Sequence, residues 1–101
     1  MDAIPLDKGD SLSFDMVWSD DDGPMEIAGH TVTIYEASPS TLVGYEATLD
    51  PTTTGKASLT LPAEVVSTLR LRKGRNNWFR LELSLNGEVV DTTPPIWIDR
   101  V

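Results

Sequence analysis

At 101 residues, with 40% hydrophobic content and seven aromatics, the chain has room for one domain and one core and is not of disordered composition. It contains no cysteine, which excludes a disulfide framework and thiolate chemistry. A net charge of −8 makes it a poor general nucleic-acid binder, because phosphate contacts need a sustained basic surface.

The charge is unevenly placed. Residues 1–50 hold eleven acids and one base, whereas residues 51–101 hold five acids and seven bases. Five bases (Arg70, Arg72, Lys73, Arg75 and Arg80) fall within eleven residues, a cluster able to meet an acidic partner, including another copy of this chain. Met1 to Asp7 has neither a basic region nor an apolar run, so it does not read as a signal peptide. No apolar run approaches the length of a membrane span. The expectation is a chain made in soluble form, with neither membrane nor nucleic acid among its partners.

In chain order, Ile4 and Leu6 predict a short first strand. Leu12, Phe14, Met16 and Trp18 then alternate with Ser11, Ser13, Asp15 and Val17, the pattern of a half-buried strand. Asp20-Asp21-Asp22-Gly23-Pro24 is a turn, and Met25-Glu26-Ile27 is too short to assign. Thr31 to Ala37 predicts a strand with Val32 and Ile34 inward. Val43, Tyr45, Ala47 and Leu49 predict another, closed by the 50–55 turn against Ala57 to Leu61. Pro62, Glu64 and the stripe Val65, Val66, Leu69 predict about two turns of helix crossing between sheets, with Arg70, Arg72 and Lys73 at its end and Gly74 as the stop. Phe79, Leu81, Leu83 and Leu85 alternate up to Asn86-Gly87, and Glu88 to Asp91 runs back. Asn-Gly suits a type I′ turn, so this is the strongest hairpin signal in the chain. Thr92-Thr93-Pro94-Pro95 interrupts it, and Ile96-Trp97-Ile98 predicts a last strand at an edge. Together these predict a single all-β domain over 1–101, an antiparallel β-sandwich of about seven strands with one short crossover helix.

Little in this pattern carries chemistry. Asp20, Asp21, Asp22 and Glu26 offer oxygen ligands for calcium, but as consecutive acids without the alternate spacing of an EF-hand loop. His30 is the lone histidine and has no nucleophile or paired carboxylate at a telling spacing. There is no Gly-rich phosphate loop, G-x-S-x-G elbow or H-E-x-x-H. The expectation is a non-enzyme with no cofactor and no resident metal. Two tryptophans break the alternation. Trp78 shares its parity with Arg80, opposite to Phe79 and Leu81, and Trp97 points away from Ile96 and Ile98. Both indoles are therefore expected outside the core, and Trp18 inside it. Trp78, Arg80 and Trp97, with Arg70, Arg72 and Lys73, are the candidate partner-binding residues.

Gly9-Asp10, the strand Phe14-Asp15-Met16-Val17-Trp18, the turn Asp22-Gly23-Pro24, Met25 to Gly29, the Gly55 hairpin and the Asn86-Gly87 turn share one order with a known group. Over about residues 6–101 the chain resembles the small Ig-like β-sandwich module of tailed-bacteriophage and prophage virion proteins, tail, baseplate or fibre-associated. The Thr93-Pro94-Pro95 break departs from that pattern. The resemblance implies a non-catalytic structural part of a particle, made in the bacterial cytoplasm, contacting other virion proteins or itself as a homo-oligomer. A carbohydrate-binding or host-surface adhesion module using exposed tryptophans is the alternative, and a calcium-dependent adhesion domain a third.

Overall fold

The computed structural model describes residues 4–6, 9–69 and 77–100, with the Arg100 side chain left out. The fold is mostly β. Among the described residues the strands are β1 (Ile4–Leu6), β2 (Leu12–Val17), β3 (Ser19–Asp20), β4 (Gly23–Pro24), β5 (Thr31–Ser38), β6 (Thr48–Leu49), β7 (Lys56–Leu61), β8 (Asn77–Leu85), β9 (Glu88–Thr92) and β10 (Ile96–Arg100). These are ten strands rather than about seven, three of them only two residues long. One helical turn, α1 (Ala63–Val66), follows β7.

One sheet runs β1-β10-β8-β5, with β9 also on β8; a second runs β2-β7-β6; β3 and β4 form a small hairpin. A single apolar cluster joins the two larger sheets, with Leu12, Leu59 and Leu61 from one and Val32, Ile34, Phe79, Leu81 and Leu83 from the other. The period-2 patterns of β2, β5 and β8 dictate this, since each puts its apolar set on one face. Phe14 of β2 meets Phe79 of β8 edge to face across the gap, ring centroids 6.0 Å apart. Such a pair adds about 0.5–1.5 kcal/mol beyond the area it buries.

Three expectations need correction. The alternation from Val43 to Leu49 does not make one strand, because the segment changes sheet. Gly44 and Ala47 donate to Ile34 and Val32 of β5, and Thr48 and Leu49 then pair with Ser58 and Ala57 of β7. The helix is one turn, not two. Pro62 is its N-cap. Past Ser67 the backbone tightens, the N–H groups of Thr68 and Leu69 donating three residues back to the carbonyls of Val65 and Val66 while the hydroxyls of Ser67 and Thr68 bond those of Glu64 and Val65. Val66 and Leu69 are buried there, while residues 70–76 lie outside the described set. Finally, β10 is not an edge, because β1 adds to it in parallel, Ile4 beside Ile98.

Three irregularities of pairing shape the outer face of β8. Asn86 and Gly87 take φ of 53° and 84°, as a type I′ turn requires, and launch β9 along β8. Glu82 pairs with Thr92, but Ser84 pairs with Val89, so Val90 is an extra bulged residue. A second slip at Pro94-Pro95 leaves Phe79 beside Ile96 and Trp78 beside Trp97. Strands β9 and β10 are thus successive stretches along one edge of β8. On its other edge, a bulge at Tyr35 moves β5 from Ile34 beside Leu81 to Glu36 beside Arg80.

Candidate partner-binding face

Along β8, Asn77, Phe79, Leu81 and Leu83 are buried, and Trp78, Arg80, Glu82 and Ser84 stand half-buried on the opposite face. Trp97 and Asp99 of β10 share that outer face, since Ile96 and Ile98 are in the core. Trp78 and Trp97 are direct cross-strand partners, and their rings pack with centroids 6.3 Å apart at 57°. Both indoles are half-buried, whereas Trp18 is only 4% exposed. Of the two segments that could cover them, the N-terminal arm and the helix region, residues 1–3, 7–8 and 70–73 lie outside the described set. Strand β1 extends the edge of the sheet, and α1 turns Val66 into the core.

Arg80, two residues along β8 from Trp78, is fixed from three sides. Its Nε donates to the carbonyl of Thr93 at 3.0 Å, and its Nη1 lies 3.8 Å from Oε1 of Glu36. The guanidinium carbon sits 5.3 Å from the centre of the Tyr35 ring. The Tyr35 bulge explains this grouping. Without it, regular alternation would set Tyr35 alone opposite Arg80 and turn Glu36 inward beside Phe79. The ion pair is exposed and contributes little stability, but the three contacts together hold one cation beside two indoles.

The structure thus brings Trp78, Arg80 and Trp97 onto one face, and Arg70, Arg72 and Lys73 lie outside the described residues. Sequence reasoning missed Tyr35, Glu36 and Thr93. Thr93 carried a signal, because a residue before two prolines needs an unusual way to satisfy its neighbours.

The other candidates are spent on local structure. Oδ1 of Asp20 accepts from the Asp22 N–H at 2.8 Å, and Oε1 of Glu26 from the Ala28 N–H at 3.0 Å. Among the described residues no three His, Asp or Glu side chains come close enough to hold a metal ion. His30 places Nδ1 3.2 Å from the Ala28 carbonyl, at the entry to β5. An open pocket of about 260 Å³ lies between residues 26–28 and 49–55. Asp50, on its rim, accepts three hydrogen bonds at Oδ1, from the Thr52 N–H, the Thr52 hydroxyl and the Thr53 N–H. Those bonds, led by the Thr52 N–H, hold its pKa below the ordinary carboxylate value, with a smaller contribution from Lys56. Asp50 is a loop clamp. No helix among the described residues is long and apolar enough to cross a membrane.

Comparison with protein-family models, with curated proteins and with solved structures returned no match.

Proposed function

We propose that this chain is a non-catalytic structural component of a phage or prophage particle, in its tail, baseplate or fibre region, acting through protein–protein contacts. The observation that carries the contact reading is the Trp78–Trp97 pair, half-buried on the outer face of the five-stranded sheet beside a fixed arginine. Tryptophan and arginine are the side chains most enriched where interface energy concentrates. The particle itself is what the sequence's resemblance to the Ig-like modules of phage virion proteins implies.

The finer fold reading is an Ig-like sandwich. Taken in chain order as B, C, D, E, F and G, the strands β2, β5, β6, β7, β8 and β9–β10 divide into B-E-D and C-F-G sheets, with β1 beside G. That division supports the immunoglobulin reading for strands B to G, whereas β1 lies on the C-F-G side and not beside B. The Phe14–Phe79 contact joins strands B and F, which antibody domains join by a disulfide.

Mass spectrometry of purified particles from the phage or prophage that encodes the chain tests the assignment. The chain should be present, and Trp97→Ala, at unchanged folding, should lower its incorporation. A particle free of the chain overturns the reading. Carbohydrate binding is the second reading, and the 57° tilt between the rings counts against it, because the pair makes a ridge and not a flat shelf. Binding on a glycan array that Trp97→Ala abolishes would favour it instead.

A further inference from the structure

We propose that Asn86 is a site of spontaneous covalent modification, losing its side-chain amide through a cyclic imide formed with Gly87. The chain holds three asparagines, Asn76, Asn77 and Asn86, and no glutamine, and of the three Asn86 alone precedes a glycine. The step needs the backbone nitrogen of the following residue to reach the side-chain carbonyl carbon of the asparagine. Glycine shields that nitrogen least, because it has no Cβ. The surroundings of Gly87 add no shield, since a Cβ built there would meet no atom within 4 Å. Asn86 is exposed at the tip of the β8–β9 hairpin, and among the described residues no hydrogen bond holds its side chain. Asn77 is the contrast, 4% exposed and followed by the bulky Trp78.

Water is the single co-reactant. The Gly87 N–H gives up its proton, its nitrogen bonds to the Asn86 side-chain carbonyl carbon, and the bond from that carbon to the amide nitrogen breaks, releasing ammonia. Water then opens the five-membered imide at either carbonyl. One opening leaves aspartate at position 86. The other leaves isoaspartate, with the main chain running through the side-chain carbon. The intact turn resists the first step. A planar imide needs a torsion about the Asn86 Cα–C bond far from that of the left-handed conformation, and Asn86 is held left-handed at φ 53°. The reaction therefore proceeds from molecules whose turn has opened. Every residue of β9 is exposed, and β8 is its one partner strand among the described residues, so this hairpin opens at little cost. The two products differ in structure. Asp-Gly suits a type I′ turn as Asn-Gly does, so aspartate keeps the hairpin. Isoaspartate adds a backbone carbon between Leu85 and Glu88, which the turn pairs directly, and the register of β9 is lost.

The test incubates the protein at mildly alkaline pH, with and without urea, while peptide mapping by mass spectrometry follows the change from amide to acid at each asparagine. Asn86 should convert first, faster as pH rises and faster again in urea. Gly87→Ala should lose most of the conversion in urea, where the fold no longer matters. Conversion at Asn76 or Asn77 as fast as at Asn86 in the folded chain would overturn the site. So would a folded chain whose Asn86 stays intact while the unfolded chain converts fully. Undiminished conversion of unfolded Gly87→Ala would exclude the route through Gly87. Hydrogen exchange then compares the separated isoaspartate fraction with Asn86→Asp. The β9 amides should exchange faster in the isoaspartate fraction and at the natural rate in Asn86→Asp. Equal protection in the two would refute the loss of register.

Discussion

Thr93 and Leu81 exchange two hydrogen bonds, only one of which joins backbone to backbone. The Thr93 N–H donates to the Leu81 carbonyl at 2.9 Å, and the Leu81 N–H is received at 3.0 Å by the Thr93 hydroxyl. The hydroxyl stands in for a ladder carbonyl, which leaves the Thr93 carbonyl to accept from Nε of Arg80. The break that two prolines impose on the strand is thereby closed with side-chain atoms.

Thr93→Val keeps the shape and removes the hydroxyl, so the buried Leu81 N–H loses its acceptor. Stability should fall by about 1–3 kcal/mol, read from urea unfolding. Thr93→Ser, which keeps the hydroxyl, should retain most of it. Equal losses in the two would show that the methyl group matters and the bond does not.

Gly55 is buried at φ +80°, and a Cβ there would lie 2.5 Å from the Trp18 carbonyl oxygen and 3.0 Å from that of Met25. The Trp18 oxygen belongs to backbone pairing, since it accepts from the Met25 N–H while the Trp18 N–H donates to the Gly55 carbonyl. Gly55→Ala combines backbone strain with a clash that no side-chain rotation relieves, and should cost about 2–3 kcal/mol. Gly87→Ala, at φ +84° with open space around it, should cost less because only the strain remains. A smaller loss at Gly55 than at Gly87 in thermal unfolding would contradict this.

Asp50 gives the fold an acid limb. Its folded pKa lies below the ordinary 3.8, so its contribution is fully present above that value and is lost as pH falls through the lower folded value. Asp50→Ala should destabilise the protein at neutral pH. The gap between the variant and the natural chain should narrow as the solution is acidified toward the range below pH 3.8. A gap unchanged by acid in parallel urea titrations would remove Asp50 from that role.

All of β9 is exposed, with Val89 and Val90 at 57% and 47%, and β8 is its one partner strand among the described residues. Such an edge invites further strands, yet three features oppose pairing. Val90 is bulged, Glu88 and Asp91 bring charge, and Oδ1 of Asp91 accepts from the Thr92 N–H at 2.9 Å. Asp91→Val should raise self-association at high concentration, measured by sedimentation. A variant that stays monomeric would show that the bulge alone protects the edge.

The legible part of the fold was that governed by local repetition. Leu12 to Trp18, Val32 with Ile34, and Phe79 to Leu83 sort their faces by parity alone, and Asn86-Gly87 marks its own turn. The same parity put Trp78 with Arg80 and turned Trp97 outward. What escaped depends on pairing between distant segments. Nothing in Ile4 to Leu6 says that it adds in parallel to β10, nor in Val43 to Leu49 that the chain leaves one sheet for the other. Tyr35 and Glu36 escaped because a bulge reverses parity, and its position is set by the partner strand. The helix was overread because its backbone tightens to three-residue hydrogen bonds at Thr68 and Leu69, which an apolar stripe does not reveal.

The Phe14–Phe79 contact links β2 to β8 through the edge of one ring and the face of another. A link of that kind has no reduction potential. In a chain without thiols, no reductant can unfasten the two sheets and no oxidant can cross-link one molecule to its neighbour through sulfur. The same cross-sheet contact therefore holds in a reducing cell interior and in the oxidising medium outside it.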